Sequence, residues 1–222
     1  ANYTLQFANG TGSDLQTSLS LIKANLPNLR ASLPLNYDQR HAVNLTIDYR
    51  FDGKANGMPY DGPQWGRKVL ENAGANLVIS SGSGTPYSKR LMPGTPSSNG
   101  GDNGGSLIGS INGSRLPWST VLNLRIDKDV LIVFGEGEKK RPTNLNVYVE
   151  ISNLLNSMNL LDVYSSTGNA DDDGYLTAPQ NQSYIESRND PSSYRNYYEM
   201  AVNHPGRYIA PRRIWLGVQF SF

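Results

Sequence analysis

The chain has 222 residues and a formal net charge of +1, so no global basic field directs it towards nucleic acid. It contains no cysteine, which excludes a disulfide framework, a thiolate metal site and a cysteine nucleophile, and its two histidines, His41 and His204, are not spaced as metal ligands. Only 37% of residues are hydrophobic, alongside 22 glycines and 13 tyrosines, a poor composition for a soluble core of this size but an ordinary one for strands that are polar on one face.

No apolar run approaches the length of a membrane helix. The chain enters an alternating segment at Ala1 without a signal peptide, so the expectation is that further sequence precedes it, on this polypeptide or on another. Six segments carry the two-residue period of a strand. The first, "NYTLQFA", sets Tyr3, Leu5 and Phe7 on one side. A long polar stretch, about 9–37, follows it. Within that stretch Leu15, Leu19, Ile22 and Leu26 share one helical face behind Ser13 or Asp14 as N-cap, which predicts a short helix packed on neighbouring loops or acting as a lid. "RHAVNLTIDYRF" then aligns Val43, Leu45, Ile47, Tyr49 and Phe51. A shorter link, 52–66, leads to "NAGANLVIS", with Ala73, Ala75, Leu77 and Ile79 in phase and Val78 out of it.

"SGSGTPY" (81–87) lacks the lysine of a phosphate loop and adjoins a strand, so it marks a rim where strand becomes loop. A second long stretch, about 85–117, ends at "PWSTVLNLRID", which aligns Trp118, Thr120, Leu122, Leu124 and Ile126. After the short link 135–143, "NLNVYVEIS" aligns Leu145, Val147, Val149 and Ile151. A third long stretch, about 157–210, precedes "RRIWLGVQFSF", where Ile214, Leu216, Val218, Phe220 and Phe222 oppose Arg213, Trp215, Gly217, Gln219 and Ser221.

The charges Asp48, Arg50, Arg125, Asp127, Glu150 and Arg213 all fall on the face opposite the apolar one, and a one-residue slip would exchange the faces. A soluble antiparallel sandwich also alternates. Long links alternating with short ones, and aromatic residues at both strand ends (Tyr49, Phe51, Trp118, Phe220, Phe222), favour lipid outside and a hydrated lumen inside. The fold class expected is all-β: a transmembrane antiparallel β-barrel segment of about six strands with long extracellular loops. The six charged residues then line a solute path, or pair with one another or with a plug.

Two loop features point to ligands. In "TGNADDDGYL", Asn169, Asp171 and Asp173 followed by Gly174 match the start of a calcium loop, with Tyr175 offering a carbonyl over 169–180; Gln180 replaces the closing glutamate, which reduces affinity unless Glu186 or Asp190 folds back, and the alternative is a solvated acidic loop with Asx turns. No other cofactor is expected. Tyr194, Tyr197 and Tyr198 cluster near Arg195, as contacts for a loop-bound ligand or as loop packing. No nucleophile, base and orienting group come together, so the chain is read as a non-enzyme.

"GVQFSF", with Gly217, Phe220 and Phe222, resembles the C-terminal β-signal that the barrel-assembly machinery reads. Together with "DQRH" at 38–41, "NLLN" at 153–156 and "YIAPRRIWLGVQFSF", the whole span 1–222 resembles the C-terminal part of an Oar-like, SusC-related TonB-dependent outer-membrane receptor. That resemblance implies a barrel of about 22 strands with an N-terminal plug, importing a large or scarce ligand. It also implies as partners the remaining strands and plug, outer-membrane lipid, TonB and a surface lipoprotein, with the loops outside and the C-terminus in the periplasm. The plug, the earlier strands and the TonB-contacting box are absent from these 222 residues, and six strands are fewer than the roughly eight of the smallest membrane barrels. Function is therefore expected to belong to a larger assembly, the alternative being a non-transporting barrel that serves as scaffold or assembly partner.

Overall fold

A computed structural model describes residues 1–13, 23, 31–51, 66, 69–91, 106–134 and 141–221. The helix expected on Leu15, Leu19, Ile22 and Leu26 lies outside the described residues, as does Phe222. In chain order the strands are β1 (Asn2–Leu5), β2 (Asn9–Gly10), β3 (Leu33–Pro34), β4 (His41–Arg50), β5 (Ala73–Gly82), β6 (Pro86–Tyr87), β7 (Ser114–Arg115), β8 (Ser119–Phe134), β9 (Arg141–Ser152) and β10 (Arg213–Ser221). Two helices, α1 (Pro179–Glu186) and α2 (Pro191–Val202), lie between β9 and β10. No described helix is long and apolar enough to cross a membrane.

The six predicted strands form one antiparallel sheet in the order β1-β4-β5-β8-β9-β10, each pairing with its neighbour along the chain. The links β1–β4, β5–β8 and β9–β10 leave from one end of the sheet, and the shorter β4–β5 and β8–β9 links from the other. Two boundaries differ from the sequence reading. β1 stops at Leu5 because the Ala8 N–H turns to the Asp38 carboxylate, 2.8 Å away, instead of continuing the ladder. β8 runs on to Phe134, and its partner starts at Arg141, because "VLIVF" keeps pairing through Val130↔Leu145 and Ile132↔Thr143. There apolar residues occupy both phases, so alternation fades although the ladder continues.

Register sorts the two faces. One apolar row crosses the sheet as Ile47–Leu77–Leu124–Ile151–Ile214, and the next as Tyr49–Ala75–Ile126–Val149–Leu216. Among the described residues, Ile126, on an interior strand, keeps 47% of its surface exposed and Leu216 keeps 75%, while Leu77, Leu124, Val149 and Ile151 are half-buried. The fully buried hydrophobic residues described lie elsewhere, with Leu35 in the first link and the rest between β9 and β10. Exposed apolar patches of this kind mark protein or membrane interaction surfaces.

Two motifs staple the end that carries the long links. Asp38, 1% exposed, accepts hydrogen bonds from the Ala8 N–H and from the Arg115 guanidinium and lies 3.7 Å from Arg40. Burial opposes its ionisation, but those hydrogen bonds, with the charges of Arg115 and Arg40, hold its carboxyl below the usual range. Gln39 donates to the Ser83 carbonyl at 3.2 Å, and His41 stacks between Tyr3 and Trp118 while its Nδ1 sits 2.9 Å from the Tyr3 hydroxyl. The "DQRH" run thus joins β1, β4, β7 and the end of β5. At "NLLN", Asn153 (φ 53°) donates to the carbonyls of Ser157 and Ala210, and Asn156 accepts from the Arg212 N–H, fastening the exit of β9 to the entry of β10.

The third long link is a folded cap. Tyr164, Tyr175, Ile185, Tyr198 and Val202 form its core, with Tyr175 and Tyr198 stacked at 4.8 Å. Arg207 closes it, lying 3.7 Å over the Tyr164 ring and 2.9 Å from Asp162. Asp190 caps α2 by accepting from Ser192 and Ser193, which holds its carboxyl down at about 2. Burial pushes the Tyr175 hydroxyl up to about 12.

Candidate functional site

The polar face carries the chemistry. Its rows interleave with the apolar ones: Asp48–Asn76–Arg125–Glu150–Trp215 is one, and Arg50–Gly74–Asp127–Tyr148–Gly217 is the next towards the short links. Five of the six predicted charges, Asp48, Arg50, Arg125, Asp127 and Glu150, therefore stand in two adjacent rows. Arg213, paired with Ser152, shares their face nearer the long links.

Arg50 reaches across a whole strand. Its guanidinium sits 2.8 Å from Asp127 and 3.0 Å from Asp129, two strands away. The intervening residue is Gly74, where a Cβ would stand 2.9 Å from Arg50 Nη2 and 3.0 Å from Asp127 Oδ1. A side chain there would have to displace the Arg50 guanidinium from its path across the strand. Asn146 donates to Asp127 and Asp129 at 3.3 and 2.7 Å, and Asn144 donates to Asp129 at 3.3 Å, so both carboxylates are paired and hydrogen-bonded.

Arg125 behaves differently. Glu150 is its cross-strand register partner, yet Arg125 makes no ion pair among the described residues. Its guanidinium lies 4.0 Å over the ring of Tyr148. That ring occupies the space above Gly217, where an added Cβ would come within 2.2 Å of Tyr148 Cζ. Gly217, read from the sequence as part of an assembly signal with Phe220 and Phe222, thus has a local packing role: it leaves the seat for Tyr148. Gly217→Val is expected to drive Tyr148 off this seat and lower unfolding free energy by about 1–3 kcal/mol, read from denaturant unfolding in detergent; an unchanged midpoint would mean that the ring relocates freely.

Between Arg125 and the Arg50–Asp127–Asp129 cluster lies a groove of about 260 Å³, completed by Asn144, Asn146, Gln219 and Ser221. Sequence reasoning missed Gly74, Asp129, Asn144, Asn146 and Tyr148. The signal for them was their phase, shared with the charges it did identify; neither a glycine nor an uncharged amide marks a face by itself.

In the loop over 169–180, matched in sequence to the start of a calcium loop, the acidic side chains make local hydrogen bonds. Asp173 is buried and turned inward, with Oδ2 2.5 Å from the Tyr198 hydroxyl and Oδ1 accepting from the Tyr175 N–H at 2.9 Å. Asp172 accepts from the Gly174 N–H at 2.7 Å, and Gly174 takes φ +80°, which makes an Asx turn. The Tyr175 carbonyl accepts from Asn181, Glu186 pairs with Arg195 at 2.8 Å, and Asp190 caps α2; neither acid folds back towards Asn169 and Asp171, which are exposed. Among the described residues no three His, Cys, Asp or Glu side chains gather as a metal site.

The tyrosine cluster is divided. Tyr198 is core and Tyr194 partly buried, packed against the same core; Tyr197 alone projects, at 74% exposure. The three rings do not form one ligand surface. Tyr198→Phe is expected to cost the cap about 1–3 kcal/mol by leaving the buried Asp173 carboxylate short of a donor, measured as faster limited proteolysis between β9 and β10; an unchanged rate would show that the bond is dispensable.

No protein-family model matches the chain, and no curated protein or solved structure does so either.

Proposed function

We propose that this chain is a wall-forming part of a bacterial outer-membrane β-barrel, and that the whole barrel is a TonB-dependent receptor importing a large or scarce ligand. The observation that carries the reading is the bare apolar face: rows of Ile, Leu and Val on interior strands stay exposed or half-exposed while the opposite face holds an ion network. Lipid covers the first face and lumen water wets the second. The three long links lie outside the cell, the cap between β9 and β10 among them, and the two shorter links face the periplasm.

The edges of the sheet support a larger assembly. β1 and β10 have neighbours on one side only among the described residues, and an unpaired strand edge in hydrocarbon costs several kcal/mol per orphan backbone group. Further strands therefore complete the barrel, and a plug meets its polar interior. Catalysis plays no part in this reading. The receptor assignment rests on the resemblance carried by "DQRH", "NLLN" and "GVQFSF", whose first two motifs hold the rim together as described above.

The test is an intact-mass measurement of the protein purified in detergent from outer membranes. A species much heavier than 24.4 kDa, whose N-terminal sequence contains a plug and a TonB-contacting segment, is the expected result. A heavier species lacking both would replace transport with a scaffold function, and recovery of a 24.4 kDa chain without detergent would end the membrane reading.

A further inference from the structure

We propose that Arg125, held over the ring of Tyr148, anchors a binding site for a polar monocarboxylate of the sugar-acid kind on the polar face of the sheet. The proposal needs only the geometry of that face and holds whether the barrel transports or serves as a scaffold.

The argument begins with a pairing that does not form. Arg125 and Glu150 are directly opposed in register, where oppositely charged side chains ordinarily pair. Arg125 instead turns to the ring of Tyr148, 4.0 Å away, which is itself seated over the missing side chain of Gly217. The ring holds the guanidinium carbon 4.0 Å above its centroid, and no acceptor among the described residues takes the Arg125 N–H groups, which remain to donate. A planar, preoriented pair of N–H donors suits a carboxylate, which it binds in a bidentate fork.

The rest of the groove narrows the class. The other cation, Arg50, is held by Asp127 and Asp129, so it neither competes for the anion nor adds to its binding. Asn144, Gln219 and Ser221 line the groove with amide and hydroxyl groups that exchange hydrogen bonds with ligand hydroxyls. Asp127 and Asp129 disfavour a second negative charge nearby, which selects a monocarboxylate over a phosphate dianion. At about 260 Å³ the groove is of the order of a single sugar ring.

The test uses the membrane-purified protein in detergent and saturation-transfer NMR. Sodium glucuronate is titrated as probe, glucose serves as the uncharged control and inorganic phosphate as competitor. The expected result is saturable glucuronate binding, none for glucose, weak competition by phosphate, and affinity reduced about tenfold or more in Arg125→Gln. Arg125→Lys, which keeps the charge and serves if the glutamine variant fails to fold, is expected to bind more weakly because an ammonium lacks the planar fork. Absence of saturable binding, equal binding of glucose, tighter binding of phosphate, or undiminished affinity in both variants would each overturn the proposal.

Discussion

Val149→Arg is expected to destabilise the folded wall by about 2–4 kcal/mol and to deplete folded protein from the membrane. Val149 sits in the apolar row Tyr49–Ala75–Ile126–Val149–Leu216, on a strand with partners on both sides, so its side chain has no sheet edge to escape past. An arginine there must place its charge in hydrocarbon or bend towards an interface several residues away. Leu45→Arg, on β4 in the same phase, is expected to act alike. The neighbouring change Glu150→Arg adds the same side chain one residue later, on the wet face, and is expected to cost little. Comparing folded yields and unfolding midpoints of the two neighbours in detergent separates a face effect from a general intolerance of arginine. Equal behaviour of Val149→Arg and Glu150→Arg would contradict the face assignment.

Asp38→Ala is expected to have the other large effect, about 3 kcal/mol, the low end for a broken buried ion pair because Arg115 retains some access to water. Asp38 is nearly fully buried and draws together the Ala8 N–H, Arg115 and Arg40. Truncation leaves Arg115 without its counter-charge and opens the joint between the first link and β7. The same group gives the rim an acid limit. Its folded-state pKa lies below the usual range, so its stabilisation is fully present above the unfolded value of about 4 and fades as pH falls through the lower folded value. Proteolysis of the rim measured from neutral pH down to about pH 2 is expected to show acid weakening in the native protein and little further change in Asp38→Ala. An Asp38→Ala rim as resistant as the native one at neutral pH would remove this role.

The sheet was legible in the sequence because its two faces differ in kind. Charges such as Asp48, Arg125 and Glu150 on one phase, against Ile47, Leu124 and Ile151 on the other, fix both strand and register. The lower half of β8 escaped because Val130 to Phe134 are apolar on both phases, and only the ladder with β9 reveals it. The cap escaped for a different reason. Its core is built from tyrosines at irregular spacings among polar residues, and their hydroxyls are satisfied locally, as Tyr164 is by the Val202 carbonyl at 2.9 Å. The candidate site was half visible. Arg50, Arg125 and Asp127 were identified by phase, whereas their arrangement depends on Gly74 and Gly217, whose contribution is the space they leave.

The motifs that carry the resemblance, and the acidic loop, make structural contacts nearby. "DQRH" and "NLLN" hold the rim, and the acidic loop spends its buried carboxylate on Tyr198. Chains that share these motifs are expected to share the rim geometry whatever their ligand.

The central claim is that lipid covers one face of the sheet and water the other, and a single-cysteine scan along β9 tests it most directly. These 222 residues contain no cysteine, so with any cysteine of the remaining barrel replaced, each position from Asn144 to Ser152 is labelled alone in the membrane-embedded protein. Water-soluble maleimide is expected to react at Asn144, Asn146, Tyr148 and Glu150, while fluorophores at Leu145, Val147, Val149 and Ile151 are quenched by nitroxide lipids, a two-residue alternation along the strand. Uniform aqueous labelling at all of these positions, with no lipid quenching at Val147 or Val149, would contradict the account.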